Sequence, residues 1–341
     1  MTANFFSPSS ISIDLGTHIT RLAVEDKGIV IQEPTILGYN QQTKEYLFFG
    51  RKAKEIIGKT PSFIKIIKPI HQAVINDFDS TLVFLDNLIR DQLYPHYRKN
   101  FFFKSFSVIY SGITSNATEV EKKALEELLI KLGFQQVLIV DRAVALASAI
   151  KDDILMHTPV LIVDLGGGLI EMAVVSGGGV IVHRILKTGG DFFLHQITHY
   201  LYLKYGVIIG ENTSEQLLIN LLNFINDEKI QVVRGKSLET GLPKSVRVKT
   251  SDIRESLTSL FNTVIDTIKE LIEYSPPEAV DEIYKNGVFL AGGLANIQGI
   301  DNFFSESLKM PVVILDKPET ALIRGLLKLS KQPQIVRKII R

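Results

Sequence analysis

The sequence predicts an α/β protein with a duplicated fold, and three observations predict it. An apolar run ending in Asp-Leu-Gly occurs twice, at Asp14-Leu15-Gly16 and at Asp164-Leu165-Gly166. Each turn resumes as an alternating apolar strand (residues 20–25 and 171–176), which is a hairpin pattern. Strands and helical periodicities then alternate through both halves, as expected of packed α/β layers. A lone Asp-Leu-Gly hairpin is most simply a turn. Two copies at domain spacing point instead to one phosphate clamp per half. Glycines let backbone N–H groups approach an anion, and an Asp at the strand end can face a metal–phosphate complex.

Taken in order, residues 10–32 read as strands, and 29–37 as an extended stretch with Pro34 at an edge. Residues 34–67 form a small unit of strands followed by a helix over 51–57 that Gly58 stops. The spacing of Leu82, Leu85, Leu88 and Ile89 predicts a helix over 79–92. Thr118 with Glu121 three residues on is a capping-box pattern, opening a helix to about Leu132. A strand at 137–140 leads into residues 142–150, an alanine-rich helix whose small side chains permit close packing. The second half repeats the plan. Gly189-Gly190-Asp191 opens a helix to about Tyr205, helices and strands run to Val248, and a long amphipathic helix reaches Tyr274 before Pro276-Pro277. A strand at 287–290 then meets Ala291-Gly292-Gly293-Leu294, a third close-approach turn.

The 341 residues suit two domains, and 45% hydrophobic content gives each half a core. A net charge of +1 gives no case for nucleic acid as a partner. With no cysteine there is no disulfide and no thiolate metal site, which fits a reducing cytoplasm. The first ten residues lack the pattern of a signal peptide, and no apolar run reaches the length of a bilayer span.

Two stretches suggest contact with a membrane. Phe101, Phe102, Phe103 and Lys104 sit in a basic, Pro-bearing loop, either as the buried start of a strand or as an apolar loop dipping into lipid. The tail, with Lys328, Lys331, Arg337, Lys338 and Arg341 among Ile335, Val336, Ile339 and Ile340, is either a frayed terminus or a basic amphipathic helix.

Eleven stretches in a fixed order, among them residues 13–17, 28–34, 58–61, 117–123, 164–168, 189–191, 241–244, 276–278 and 291–293, resemble the actin/Hsp70/sugar-kinase ATPase superfamily. Within it they resemble the bacterial actin homologues of the MreB family, over nearly the whole chain. The resemblance implies an actin-like ATPase fold, with two duplicated ribonuclease-H-like domains around a nucleotide cleft, each carrying a small subdomain. It implies subdomain IA over residues 1–33, 68–141 and 325–341, IB over 34–67, IIA over 142–186 and 250–324, and IIB over 187–249. It further implies ATP or ADP with Mg2+, self-assembly into paired protofilaments, attachment to the inner face of the cell membrane, and a role in cell shape.

Carried over residue by residue, the nucleotide-binding positions are Asp14, Gly16, Thr17, His18, Ile19, Asp164, Gly166, Gly167, Gly168, Leu169, Gly190, Asp191, Glu215, Leu218, Gly292, Gly293 and Leu294. Asp14 and Asp164 would hold Mg2+, mostly through water. Phe101, Phe102, Phe103, Lys104, Lys338 and Arg341 would face the membrane, and the helix after Thr118 would lie where paired protofilaments meet.

Departures from the family pattern cluster in the site. The family's Glu that positions the attacking water is Arg142 here, and a guanidinium cannot take a proton near neutral pH. Asp141 is one residue early and one carbon short as a substitute. Leu169 replaces a threonine, Ile19 an asparagine, Leu218 a lysine beside the base, and Leu294 a glycine. These losses predict nucleotide binding with slow or absent hydrolysis. Two alternatives remain: an active ATPase in which Asp141 positions water, and a non-polymerising paralogue that co-assembles with another family member.

Overall fold

The computed structural model describes residues 10–93, 108–150, 155 and 157–339. Phe101, Phe102, Phe103, Lys104 and Arg341 lie outside the described residues. The chain divides into two units. The first comprises 1–157, 175–180 and 320–341, and the second comprises 158–174 and 181–319. Helix Arg142–Ile150 falls with the first unit.

In the first unit the strands are β1 Ile11–Leu15, β2 Ile19–Val24, β3 Gly28–Pro34, β4 Leu37–Asn40, β5 Glu45–Phe49, β6 Ile64–Ile67, β7 Ile70–His71, β8 Val74–Ile75, β9 Val108–Ile113 and β10 Gln136–Asp141. Five of them form a sheet ordered β10-β9-β1-β2-β3. The β1–β2–β3 meander is antiparallel, while β9 and β10 add in parallel. Central β1 is buried along its whole length although its sequence alternates, so Ser12 and Asp14 are buried with Ile11, Ile13 and Leu15. Three short strands, β5-β4-β6, make the small sheet anticipated within 34–67.

Asp77 caps helix Phe78–Leu88 by accepting from Ser80 N at 3.0 Å. The helix expected over 79–92 is α-helical only to Leu88 and widens into a π turn, Ile89–Leu93, that keeps Ile89 and Leu93 buried. Helix Glu119–Lys131 begins with both bonds of the capping box, from Glu121 N to Thr118 Oγ1 and from Thr118 N to Glu121 Oε2.

The close packing foreseen for the alanine-rich helix is present. Gly325 of helix Ala321–Ser330 lies against Ala145, and Ser148 Oγ donates to both the Ala145 and Gly325 carbonyls, at 2.7 and 2.9 Å. The tail continues as helix Pro333–Ile339, with Val336 buried and Lys338 exposed. It is ordered against its own unit: a Cβ on Gly178 would stand 2.6 Å from Ile339 Cγ2.

In the second unit the strands are β11 Val160–Leu165, β12 Ile170–Ser176, β13 Gly179–Leu186, β14 Val207–Ile208, β15 Ile230–Ser237, β16 Pro243–Lys249, β17 Val288–Ala291 and β18 Val312–Ile314. The main sheet runs β13-β12-β11-β17-β18, with β11, β17 and β18 parallel. Counted by appearance within each half, both sheets have the order 3-2-1-4-5 or its mirror reading, with the strand before the glycine turn at the centre. That shared order is the duplication the sequence implied.

Helix Thr250–Glu273 lays Ile253, Leu257, Phe261, Val264, Ile268 and Leu271 into the core, the stripe expected of an amphipathic helix. Phe261 meets Phe193 and Phe224 edge to face, and Phe224 stacks on Phe303 with centroids 4.2 Å apart. Each fully buried Phe stabilises by roughly 1.5–3 kcal/mol.

Candidate functional site

The first unit carries one half of the candidate site, at the β1–β2 turn. A Cβ on Gly16 would lie 2.5 Å from the Ile19 carbonyl oxygen, so only glycine allows the chain to fold back this tightly. Thr35, just past β3, braces the turn. Its Oγ1 donates to Gly16 O at 2.8 Å, its N donates to His18 O at 2.9 Å, and its hydroxyl lies 2.8 Å from Thr20 Oγ1. Thr17 Oγ1 accepts from Ala73 N at 2.9 Å, in the tight β7–β8 turn where Gln72 and Ala73 have positive φ. Thr17 therefore ties the glycine turn to a neighbouring hairpin.

Asp14 sits at the end of β1, almost wholly buried, between two guanidinium groups. Arg21 Nη1 is 3.3 Å from Asp14 Oδ2, and Arg142 Nη1 is 3.5 Å from Asp14 Oδ1. All three side chains are about nine-tenths buried or more. The register explains Arg21, because Asp14 and Arg21 are directly opposed across the hairpin and share a face. Arg142 arrives as the first residue of its helix. Its stem passes over Gly112 of β9, where a Cβ would come within 3.2 Å of Arg142 Cγ. Asp141 caps the same helix. Its Oδ1 accepts from Ala143 N at 2.8 Å and from Ser115 Oγ at 3.0 Å, which places this carboxylate in a structural role.

The second unit carries an equivalent turn between β11 and β12. A Cβ on Gly166 would lie 2.7 Å from the Leu169 carbonyl oxygen, the same three-residue relation seen at Gly16 and Ile19. Helix Gly190–Tyr205 docks its N-terminus on this turn. Gly190 N donates to Gly166 O at 3.1 Å, and Asp191 N donates to Gly167 O at 2.8 Å. A Cβ on Gly189 would stand 2.5 Å from Leu169 N, which explains the paired glycines.

The third turn approaches the same strand end. Gly292 has φ +86°, and a Cβ there would lie 2.6 Å from Asp164 Oδ1. Gly293 has open space around it and begins a short 3-10 turn, so Gly292 alone makes the close approach. Leu169 is buried, and Leu218 and Leu294 join the hydrophobic core of the unit, while Glu215 is half-buried on helix Glu211–Leu221. The resemblance calls for a threonine, a lysine and a glycine at these three positions, and this chain buries a leucine at each.

Asp14, Gly16, Thr17, His18, Ile19, Asp141 and Arg142 thus come together in one unit. Asp164, Gly166, Gly167, Gly168, Leu169, Gly190, Asp191, Gly292, Gly293 and Leu294 come together in the other. Sequence reading missed Arg21 and Thr35. The hairpin register around Gly16 would have found Arg21, and no local signal marks Thr35. A metal does not fit at Asp14, because both carboxylate oxygens face guanidinium groups. Among the described residues no cluster of three or more His, Cys, Asp or Glu could hold a metal ion, and no helix is long and apolar enough to cross a membrane.

The family model described as MreB/Mbl protein matches residues 8–338. The chain belongs to the MreB/Mbl family. Among its relatives, the cell shape-determining protein Mbl of Bacillus subtilis is 31% identical over 317 residues, covering 92% of this chain and 93% of Mbl. The crystal structure of MreB5 of Spiroplasma citri bound to ADP aligns with TM-score 0.89 and 28% identity, covering 98% of each chain. The same protein bound to AMPPNP aligns equally well, at 27% identity over 96% of this chain. The fold is therefore actin-like.

Proposed function

We propose that this MreB/Mbl-family chain is a cytoskeletal subunit that binds ATP or ADP, assembles into membrane-associated filaments and helps set cell shape, with hydrolysis slow or absent. One observation carries the reading. At the position where the family resemblance calls for a water-positioning glutamate, this chain has Arg142, and its guanidinium is paired with Asp14. The glycine turns support retention of nucleotide, and the ADP-bound and AMPPNP-bound relatives are consistent with it. Asp141, the carboxylate next to Arg142 in sequence, is a helix cap and a poor general base.

Assembly is supported by family membership. Val120 and Ile130 are exposed on helix Glu119–Lys131, the face on which paired protofilaments would meet. The subunit would be cytoplasmic and peripheral at the membrane, its lipid contacts including Phe101, Phe102, Phe103 and Lys104. Exposed Lys338 adds charge near the terminus, but the apolar side of its helix is partly covered by its own unit.

The test combines sedimentation with anionic liposomes and a phosphate-release assay. Polymer and lipid should pellet together. Phosphate release should run at least about 10²-fold below a family member that keeps the glutamate, the usual cost of losing one positioned catalytic group. Release at an ordinary family rate would overturn the impaired-hydrolysis reading. Persistent monomer with nucleotide and anionic lipid would overturn the filament reading, and assembly only in mixtures with a paralogue would replace it by co-assembly.

A further inference from the structure

We propose that Arg142 stands in for a divalent cation at the first glycine turn, so that this chain takes a nucleoside di- or triphosphate without metal. The inference rests on the nucleotide-binding reading above and goes beyond it to the ionic chemistry of the site. A carboxylate at a phosphate site can hold a hydrated cation only if its oxygens can face that cation or its waters. At Asp14 both oxygens are turned to guanidinium groups instead. Oδ2 faces Arg21 at 3.3 Å and Oδ1 faces Arg142 at 3.5 Å, in surroundings that leave these side chains about 10% exposed or less. These three groups together carry one negative and two positive charges, the wrong sign to attract a cation and the right sign to attract a polyphosphate.

The arrangement is built rather than incidental. The hairpin register fixes Arg21 opposite Asp14. Gly112 leaves room for the Arg142 stem, and any larger residue would press on Arg142 Cγ. Asp141 fixes the start of the helix that carries it. A guanidinium remains charged at all physiological pH, and its planar fork of N–H donors matches phosphate oxygens. It supplies permanently the positive charge that a bound Mg2+ would supply conditionally.

The experiment is a titration of the full chain with a fluorescent ATP analogue and with ATP by calorimetry, in excess EDTA and in excess magnesium. Affinities in the two conditions should agree within about threefold, well short of the tenfold that marks a substantial coupling. Arg142→Lys should keep binding in EDTA. Arg142→Glu, which sets two carboxylates side by side, should weaken binding in EDTA by at least about tenfold and recover in part with magnesium. Thermal melts of each variant check that it folds, and the wild-type comparison stands even if Arg142→Glu does not. Binding that needs magnesium would overturn this proposal alone. Absence of binding in both conditions would overturn the nucleotide reading as well.

Discussion

Gly325→Ala is the substitution whose sign the structure and helix propensity predict oppositely. In a solvent-facing helix, replacing Gly by Ala stabilises by about 1 kcal/mol. Here the new Cβ would fall far inside van der Waals contact with the Ala145 carbonyl oxygen, 2.7 Å from its carbon and 3.1 Å from Ser148 Oγ. The obstruction is mostly backbone, so a side-chain rotation cannot relieve it. Helices Arg142–Ile150 and Ala321–Ser330 must separate by on the order of 1 Å, and overpacking of that kind typically costs 1–3 kcal/mol or more. Separation also weakens the Ser148 bond to Gly325 O, worth about 0.5–1.5 kcal/mol. The net expectation is destabilisation of about 2 kcal/mol, or roughly 4–8 °C in the melting of a unit this size. Two units need not unfold together, so the transition should be followed by hydrogen exchange within residues 142–150 as well as by calorimetry. The helix that moves begins at Arg142, so nucleotide affinity should fall with stability. A melting temperature equal to or above wild type would refute the close helix approach and the coupling drawn from it.

The other expectations concern local devices. Thr118→Ala removes the hydroxyl that accepts from Glu121 N, leaves the backbone donor to the Glu121 carboxylate in place, and should cost about 1 kcal/mol in denaturant titration, with little effect on nucleotide affinity. Thr35→Val keeps the shape but removes the hydroxyl that donates to Gly16 O and meets Thr20. It should cost about 1–3 kcal/mol and weaken nucleotide binding more than Thr118→Ala does at equal stability. Asp252 accepts from Lys204, Tyr205 and the Lys249 backbone. Burial alone would raise its pKa, but those hydrogen bonds outweigh burial and hold it below the ordinary value of 3.8. Its stabilisation is therefore fully present above that ordinary value and is lost as pH falls through the lower folded one, so Asp252→Asn should flatten the acid limb of unfolding. Tyr205 is pushed up to about 12, first by burial and then by its bond to Asp252. Its contribution should persist below about pH 10 and disappear as pH rises through 12, an alkaline limb that Tyr205→Phe should remove.

What the sequence made legible divides along a physical line. The capped helix after Thr118, the amphipathic stripe of Thr250–Glu273 and the two Asp-Leu-Gly hairpins are encoded by residues a few positions apart, and local spacing reveals them. The π turn at Ile89–Leu93 was not legible, because its apolar residues also satisfy an α-helical pattern and only packing distinguishes the two. Reading the glycines as a group was right about the turns but could not rank them. Gly292 is held by strain and by contact with Asp164, while Gly293 beside it has open space. The site's electrostatics were the least legible part. Asp14 and Arg142 are 128 positions apart, and nothing near either one announces the pair. At the level of sequence, Arg142 is a missing glutamate, and the inference stops at lost catalysis. In the fold its guanidinium faces Asp14, so under the proposed reading a single replacement removes the base and changes the charge of the clamp together. Reversing it should therefore do more than restore a proton acceptor. A glutamate at 142 also removes a cation facing Asp14, and recovery of hydrolysis should require magnesium even where binding of the wild type does not.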